Sequence, residues 1–258
     1  MTRLFVDADL GPGATVDLES GQAHYLRHVL RLETGAPIHL FNGRDGEWRA
    51  RIDGFGKNRC SLAVADRTRP QHPEPDLWLV FAPIKRDRID WLAAKATELG
   101  VTALLPAFTR RTAVTRVNTD RLRANAVEAA EQCERLGVPE VREAATLDRI
   151  LADWPTGRRL LLCAEAGTAR PIADALASEK AALAAARRTA PEPWAVLTGP
   201  EGGFAPDELD ALVKLPFVTA VGLGPRLLRA DTAAVAALAC WQAILGDGAG
   251  RPPLRSGE

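Results

Sequence analysis

Two short stretches toward the C-terminal end carry residues whose types and spacing suit chemistry. The first, LTGPEGGFAPDELD over Leu197–Asp210, ends the apolar run Trp194, Ala195, Val196, Leu197 at Thr198. It then turns through Gly199, Pro200, Glu201, Gly202 and Gly203 to a helix start at Pro206-Asp207-Glu208. Glycine-rich turns between strand and helix commonly receive a phosphate. This one carries a glutamate where a phosphate loop carries Lys followed by Ser or Thr, so a Walker A loop is excluded. The second stretch, VGLGPRLLRADT over Val221–Thr232, leaves a strand through Gly222 and Gly224 and enters a helix. Leu227 stands where a dinucleotide fingerprint has its third glycine, and no βαβ unit follows, which excludes that fingerprint.

The rest of the composition narrows the chemistry further. The four histidines, His24, His28, His39 and His72, all precede the region of these loops, so neither a metal site nor a serine–histidine hydrolase has the residues it needs. Four cysteines at 60, 133, 163 and 240 form no Cys-x-x-Cys pair and read as buried thiols of a reducing compartment. The start, MTRLFVDADLG, has no basic region leading into an apolar run, and the longest weakly polar stretch, Thr232–Leu245, is too short to cross a bilayer. A cytoplasmic protein with no membrane contact is expected. Formal net charge is zero, so no global field draws in nucleic acid, although a local patch remains compatible with that total. Of 33 cationic residues only five are Lys, and the arginines supply planar forks suited to phosphate and base edges.

These loops need strands and helices to hold them. Asp66-Arg-Thr-Arg-Pro-Gln-His-Pro-Glu-Pro-Asp76 lacks apolar periodicity and reads as an extended linker. Before it, alternating runs predict strands at Arg3–Val6, Ile38–Phe41, Glu47–Ile52 and Cys60–Ala65, with turn signals at Asn42-Gly43 and Asp45-Gly46 and one helix over Gly21–Leu30. That describes a small β barrel over residues 1–71. After the linker, strands are expected at Leu77–Phe81, Val101–Phe108, Leu160–Cys163, Trp194–Leu197 and Val218–Leu223. Helices are expected at Arg86–Leu99, Asp120–Arg135, Pro171–Arg187, Pro206–Leu212 and Asp231–Leu245. The alternation predicts an α/β unit over residues 72–246 with a parallel sheet, which binds ligands at the carboxyl ends of its strands. The Gly- and Pro-rich tail, 247–258, is expected to be disordered.

GPEGGF and GLGPRLLRADTA, in this order near the C-terminus, resemble the 16S ribosomal RNA uridine N3 methyltransferases of the SPOUT superfamily. The resemblance extends over nearly the whole chain and includes His24-Tyr-Leu-Arg-His-Val-Leu-Arg31, Lys85-Arg86, Glu98-Leu-Gly-Val101 and Glu128-Ala-Ala-Glu-Gln-Cys-Glu-Arg135. It implies an N-terminal PUA-like barrel, a C-terminal SPOUT domain with a trefoil knot, a homodimer, and S-adenosylmethionine bound by the knot loops. The substrate it implies is one uridine of 16S rRNA in the small ribosomal subunit. Carried over position by position, Thr198, Gly199, Glu201 and Gly202 match the first cofactor loop, and Leu223, Gly224, Leu228 and Thr232 match the second. Leu162 and Ala164 match the adenine side. Where the family usually has Arg-x-Glu-Thr-Ala, this chain has Arg229-Ala-Asp231-Thr-Ala, and Ala205 stands where a capping Ser is usual.

Methylating N3 of uracil requires loss of an imide proton, and the charge left behind spreads over two carbonyl oxygens. Arg229 first, and Arg226 second, are expected to stabilise that charge. Glu201 or Asp231 could take the proton, with Glu201 equally suited to a structural hydrogen bond. RNA contacts are expected from Arg27 and Arg31, four apart on one helix face whose reverse (Leu26, Val29, Leu30) is core. Lys85, Arg86, Arg110 and Arg111 extend the track, in a region where Arg116, Arg121 and Arg123 face a single acidic neighbour, Asp120. Three alternatives stay open at this point: a SPOUT enzyme acting on a ribose oxygen or a transfer RNA base, a non-catalytic RNA-binding assembly factor, and a nucleotide-binding regulator.

Overall fold

The computed structural model describes residues 2–164, 169–188 and 191–251. The Arg86 side chain and residues 252–258, most of the tail expected to be disordered, lie outside the described residues. Packing divides the chain into two units: Met1–Pro73 with Ala130–Val138, and Glu74–Ala129 with Pro139–Glu258.

In the first unit β1 (Arg3–Phe5), β2 (Thr15–Leu18), β3 (Pro37–Phe41), β4 (Glu47–Gly56) and β5 (Arg59–Arg69) form one sheet in the order β1-β3-β4-β5-β2. Only β1 and β3 run parallel. The two-residue alternation of a strand is clear in β4, where Trp48, Ala50 and Ile52 are buried and Arg49 and Arg51 are exposed. Two features depart from expectation. Strand β2 is new, because only Val16 and Leu18 point inward and four residues are too few to show a period. Strand β5 continues past Asp66, pairing Arg67 with Trp48 and Arg69 with Glu47, so the expected linker begins only at Pro70.

The expected helix is α1 (Ser20–His24) widening into a π-helical turn, Tyr25–Val29. Leu30 N–H donates to the Tyr25 carbonyl, and Arg31 then takes a left-handed φ of 54°. The chain has therefore left the helix at Arg31, and Arg27 and Arg31 do not share a helical face. A wider turn also shifts the phase of the residues on it. Leu26 is fully buried as expected, but Val29 is 58% exposed.

A buried ion cluster ties Ala130–Val138 into this unit. Glu47 accepts from Arg3 Nε at 2.7 Å and Arg69 Nη2 at 2.8 Å. The other Arg3 nitrogens donate to the carbonyls of Ala130 at 2.9 Å and Arg135 at 2.8 Å, and the Glu131 carboxylate accepts from Phe5 N–H.

The second unit is built on β6 (Leu77–Phe81), β7 (Ala103–Phe108), β8 (Glu140–Val141), β9 (Ala145–Thr146), β10 (Arg159–Cys163), β11 (Arg170–Pro171), β12 (Trp194–Thr198) and β13 (Val218–Gly222). All pairings are parallel, in the order β11-β13-β10-β12-β6-β7-β8, with β9 also on β7. The helices are α2 (Arg86–Glu98), α3 (Thr119–Gln132), α4 (Leu147–Ala152), α5 (Ile172–Ala185), α6 (Pro206–Val213) and α7 (Ala230–Ile244). Leu77, Leu79, Phe81, Leu161 and Val196 face the side covered by α2, α5 and α7. Trp78, Val80, Leu160, Leu162 and Leu197 face α4 and α6. Helices on both faces explain why β6 and β12 are buried at every position and read as continuous apolar runs. The two-residue strands and α4 were not anticipated, since elements this short carry no periodicity. Residues Asp247–Gly250 form hydrogen-bonded turns after α7. Among the described residues no helix is long and apolar enough to cross a membrane.

Candidate active site

Strands β13, β10 and β12 are neighbours, with Leu162 level with both Leu197 and Ala220. Their carboxyl ends therefore release the two glycine loops side by side. Between these loops lies a cavity of about 760 Å³, within the roughly 300–1,000 Å³ of small-molecule sites. Its wall includes Thr198, Gly199, Glu201 and Gly202 from the first loop, and Leu223, Gly224, Arg226, Leu228 and Arg229 from the second. Ala164 joins them from the end of β10. Leu162 and Thr232 do not: Leu162 is fully buried below the floor, and Thr232 is an exposed residue within α7.

The glycines do two different things here. Gly203 and Gly224 have φ of 65° and 100°, and nothing lies within 4 Å of where a side chain would project. Both present bare main chain in a conformation other residues rarely take. At Gly199 an added Cβ would stand 2.9 Å from the Phe204 ring, so the missing side chain lets that ring close over the loop.

The charges are divided between the walls. Glu201 is exposed on the first loop, and Arg226 and Arg229 are exposed on the second. Arg229 is also the N-cap residue of α7, its carbonyl accepting from Ala233 N–H at 2.8 Å. Asp231 is outside the wall. One of its oxygens accepts from Thr232 N–H and the other lies 3.9 Å from Arg88 Nε. Of the two carboxylates considered as proton acceptors, only Glu201 therefore reaches the cavity.

Among the wall residues that were not foreseen there, three bear on the chemistry. Phe204 is one. Cys163 is another; burial pushes its thiol up to about 12, with Cys240 adding to the shift. It is therefore a neutral thiol at physiological pH, and a thiolate beside an electrophilic methyl group would compete for it. The third is Arg111, expected as an RNA contact, which donates from Nη1 to the Gly202 carbonyl at 3.0 Å. Arg110 pairs with Asp207, and its guanidinium holds that carboxyl below the usual range. Arg121 pairs with Asp90 at 2.5 Å. Acidic partners from distant elements thus neutralise part of a track that has one acidic residue in sequence.

Arg27, Arg31 and Lys85, also expected to contact RNA, are not residues of the cavity wall. Lys85 is the exposed N-cap residue of α2, and Arg27 is exposed with its guanidinium 5.5 Å from the Phe55 ring centre. Arg31 is exposed as well. Among the described residues no three His, Cys, Asp or Glu side chains are grouped to share a metal ion.

The sequence model of the RNA methyltransferase domain matches residues 71–242, and that of the RNA methyltransferase PUA domain matches residues 18–64. A ribosomal RNA small subunit methyltransferase E from Rickettsia conorii is 32% identical over 92% of this chain and 93% of its own length. The protein of that name from Synechocystis is 31% identical, over 94% of this chain and 78% of its own. In structure, a ribosomal RNA small subunit methyltransferase E from Neisseria gonorrhoeae bound to S-adenosylmethionine superposes with a TM-score of 0.79. That pair is 28% identical, with 96% of this chain and 99% of the other covered.

Proposed function

This chain belongs to the RNA methyltransferase family that includes the ribosomal RNA small subunit methyltransferases E, and from that membership we propose that it methylates N3 of one uridine in 16S rRNA, using S-adenosylmethionine. The carrying observation is the cavity between the two glycine loops, with a carboxylate on one loop and two guanidiniums on the other.

The residues present fit that cofactor. Bare main chain at Gly203 and Gly224 admits a nucleoside closely, and Glu201 is a favourable neighbour for a cation while the buried Cys163 thiol does not react with it. S-adenosylmethionine, when bound, supplies an electrophilic methyl group on a positively charged sulfur. The chain supplies the rest. Arg229, or in second place Arg226, meets the negative charge that spreads onto the uracil carbonyl oxygens as the imide proton leaves. Glu201 is the carboxylate placed to accept that proton or to fix the loop. The two loops orient the partners and so remove much of the entropic barrier.

RNA is held by cations of each unit: the exposed Arg27 and Arg31 in the first, and the exposed Lys85 with its neighbour Arg86 in the second. Arg110 and Arg111, already engaged within the protein, carry a smaller share. The remaining parts of the proposal are the small ribosomal subunit as partner, a cytoplasmic setting, a trefoil knot in the second unit and a homodimer. Trp91 of α2, 46% exposed, together with exposed alanines of α7, supports the dimer. Replacing Arg229 with Ala tests the mechanism. The methylation rate is expected to fall by about 10²- to 10³-fold, with S-adenosylmethionine affinity within about twofold of wild type. An unchanged rate would remove Arg229 from the chemistry.

A further inference from the structure

We propose that Glu208 is a positioning residue that clamps the turn after β7 to the loop after β12, so that the wall carrying Arg111 is in place before any ligand binds. The proposal rests on the cofactor reading of the cavity and adds to it a residue that does not touch the cavity itself.

Glu208 lies in the first turn of α6 and is 8% exposed. Its Oε2 accepts from Ala205 N–H at 3.3 Å. This is half of a capping box, because Ala205 has no side-chain oxygen with which to reciprocate. Capping the helix uses one oxygen. The other, Oε1, accepts from Arg110 N–H at 3.2 Å, 98 positions away in the sequence. A buried carboxylate shared by two main-chain donors from separate segments holds both firmly, since charge strengthens each bond.

Two further contacts join the same segments. Arg111 Nη1 donates to the Gly202 carbonyl at 3.0 Å, and the Arg110 guanidinium pairs with Asp207 on the outer side. Arg111 also packs along Gly202: a Cβ added there would lie 3.7 Å from Arg111 Cβ. The turn is closed on itself by Thr109 N–H donating to Thr112 Oγ1 at 2.9 Å. Residues 109–112 therefore have a fixed internal shape and are pinned to residues 202–208 at three points. Only Arg111 of that turn enters the cavity wall, and the buried point of attachment is Glu208.

Binding of S-adenosylmethionine to the full chain, followed by titration calorimetry, tests the clamp with Glu208→Gln, Glu208→Ala, Arg111→Ala and the Glu208→Ala/Arg111→Ala double variant. Loss of the clamp is expected to weaken affinity by about tenfold in Glu208→Ala and by less in Glu208→Gln, which keeps one acceptor oxygen. Arg111→Ala is also expected to weaken binding, and the double variant is expected to be no weaker than the poorer single one, because both changes break the same connection. Amide hydrogen exchange without cofactor gives a second readout: Ala205 and Arg110 are expected to lose protection together in Glu208→Ala. Wild-type affinity in Glu208→Ala, or single effects that multiply in the double variant, would overturn the proposal. If Glu208→Ala does not fold, Glu208→Gln decides on both readouts. A wild-type chain that binds no S-adenosylmethionine would overturn the cofactor reading instead, and the exchange experiment would still judge the clamp.

Discussion

At Cys163 the environment, more than the residue type, sets the chemistry. The thiol ends a central strand, lines the cavity and is held neutral by burial. Iodoacetamide at pH 8 is therefore expected to leave Cys163 unmodified in the folded chain and to modify it once the chain is denatured, as read by peptide mass spectrometry. Rapid labelling of the native protein would show a reactive thiolate in the cavity. Much of the site was legible residue by residue: Thr198 to Gly202 and Leu223 to Arg229 carry their own signature, and the structure gathers them around one space. What could not be read were partners distant in sequence. Nothing in GPEGGF reveals that Phe204 covers Gly199, and nothing in Thr109–Thr112 reveals that Arg111 lies along Gly202.

Between elements, Gln242 does what no periodicity could announce. It is buried on α7, donates from Nε2 to the Leu99 carbonyl at the end of α2 at 2.8 Å, and accepts from Asp247 N–H at 3.1 Å. Gly100, with φ of 80°, leaves room for it, since a Cβ there would stand 2.5 Å from that nitrogen. Gln242→Ala is expected to lower stability by about 1–3 kcal/mol through the unpaired carbonyl, seen as a lower thermal midpoint; an unchanged midpoint would show that the contact contributes nothing. The sequence revealed α2, α5, α7 and the apolar strands β6, β10 and β12 because each repeats its signal over several residues. It did not reveal β2, β8, β9, β11 or α4, which are too short to repeat one. The π-helical turn at Tyr25–Val29 was hidden for another reason: its residues suit an ordinary helix, and the wider turn changes only which of them face inward.

On the scale of the molecule, the first unit is not one stretch of chain. Ala130–Val138 joins it through carbonyls bound by Arg3, and Arg3 is held by Glu47. Burial pushes the Glu47 carboxyl up, but hydrogen bonds from Arg69 and Arg3 outweigh this and hold it below its ordinary value of 4.5. The unfolded chain therefore takes up this proton first as the pH falls. Stability from Glu47 is complete above about 4.5 and is lost as the pH drops through the folded value. His39, 3.6 Å from Glu47, is held below 6.5 mainly by burial, with Glu47 partly opposing. It too binds its proton first in the unfolded chain, so the loss begins below about 6.5. Urea midpoints should decline from pH 6.5 downward, and more steeply below 4.5. Glu47→Gln should be less stable at pH 7 by about 3 kcal/mol, having left the buried Arg3 and the half-buried Arg69 guanidiniums without their carboxylate, and should lose the steeper part of the decline. An identical pH dependence in the variant would place the acid sensitivity elsewhere.

The claim that joins the loops, the cavity and the arginines is transfer of a methyl group to N3 of a 16S uridine. Small ribosomal subunits lacking that modification, incubated with the full chain and labelled S-adenosylmethionine and then digested to nucleosides, test it directly by mass spectrometry. Label in 3-methyluridine is the predicted result. Label on a ribose oxygen or another base, or RNA bound without any label, would contradict it.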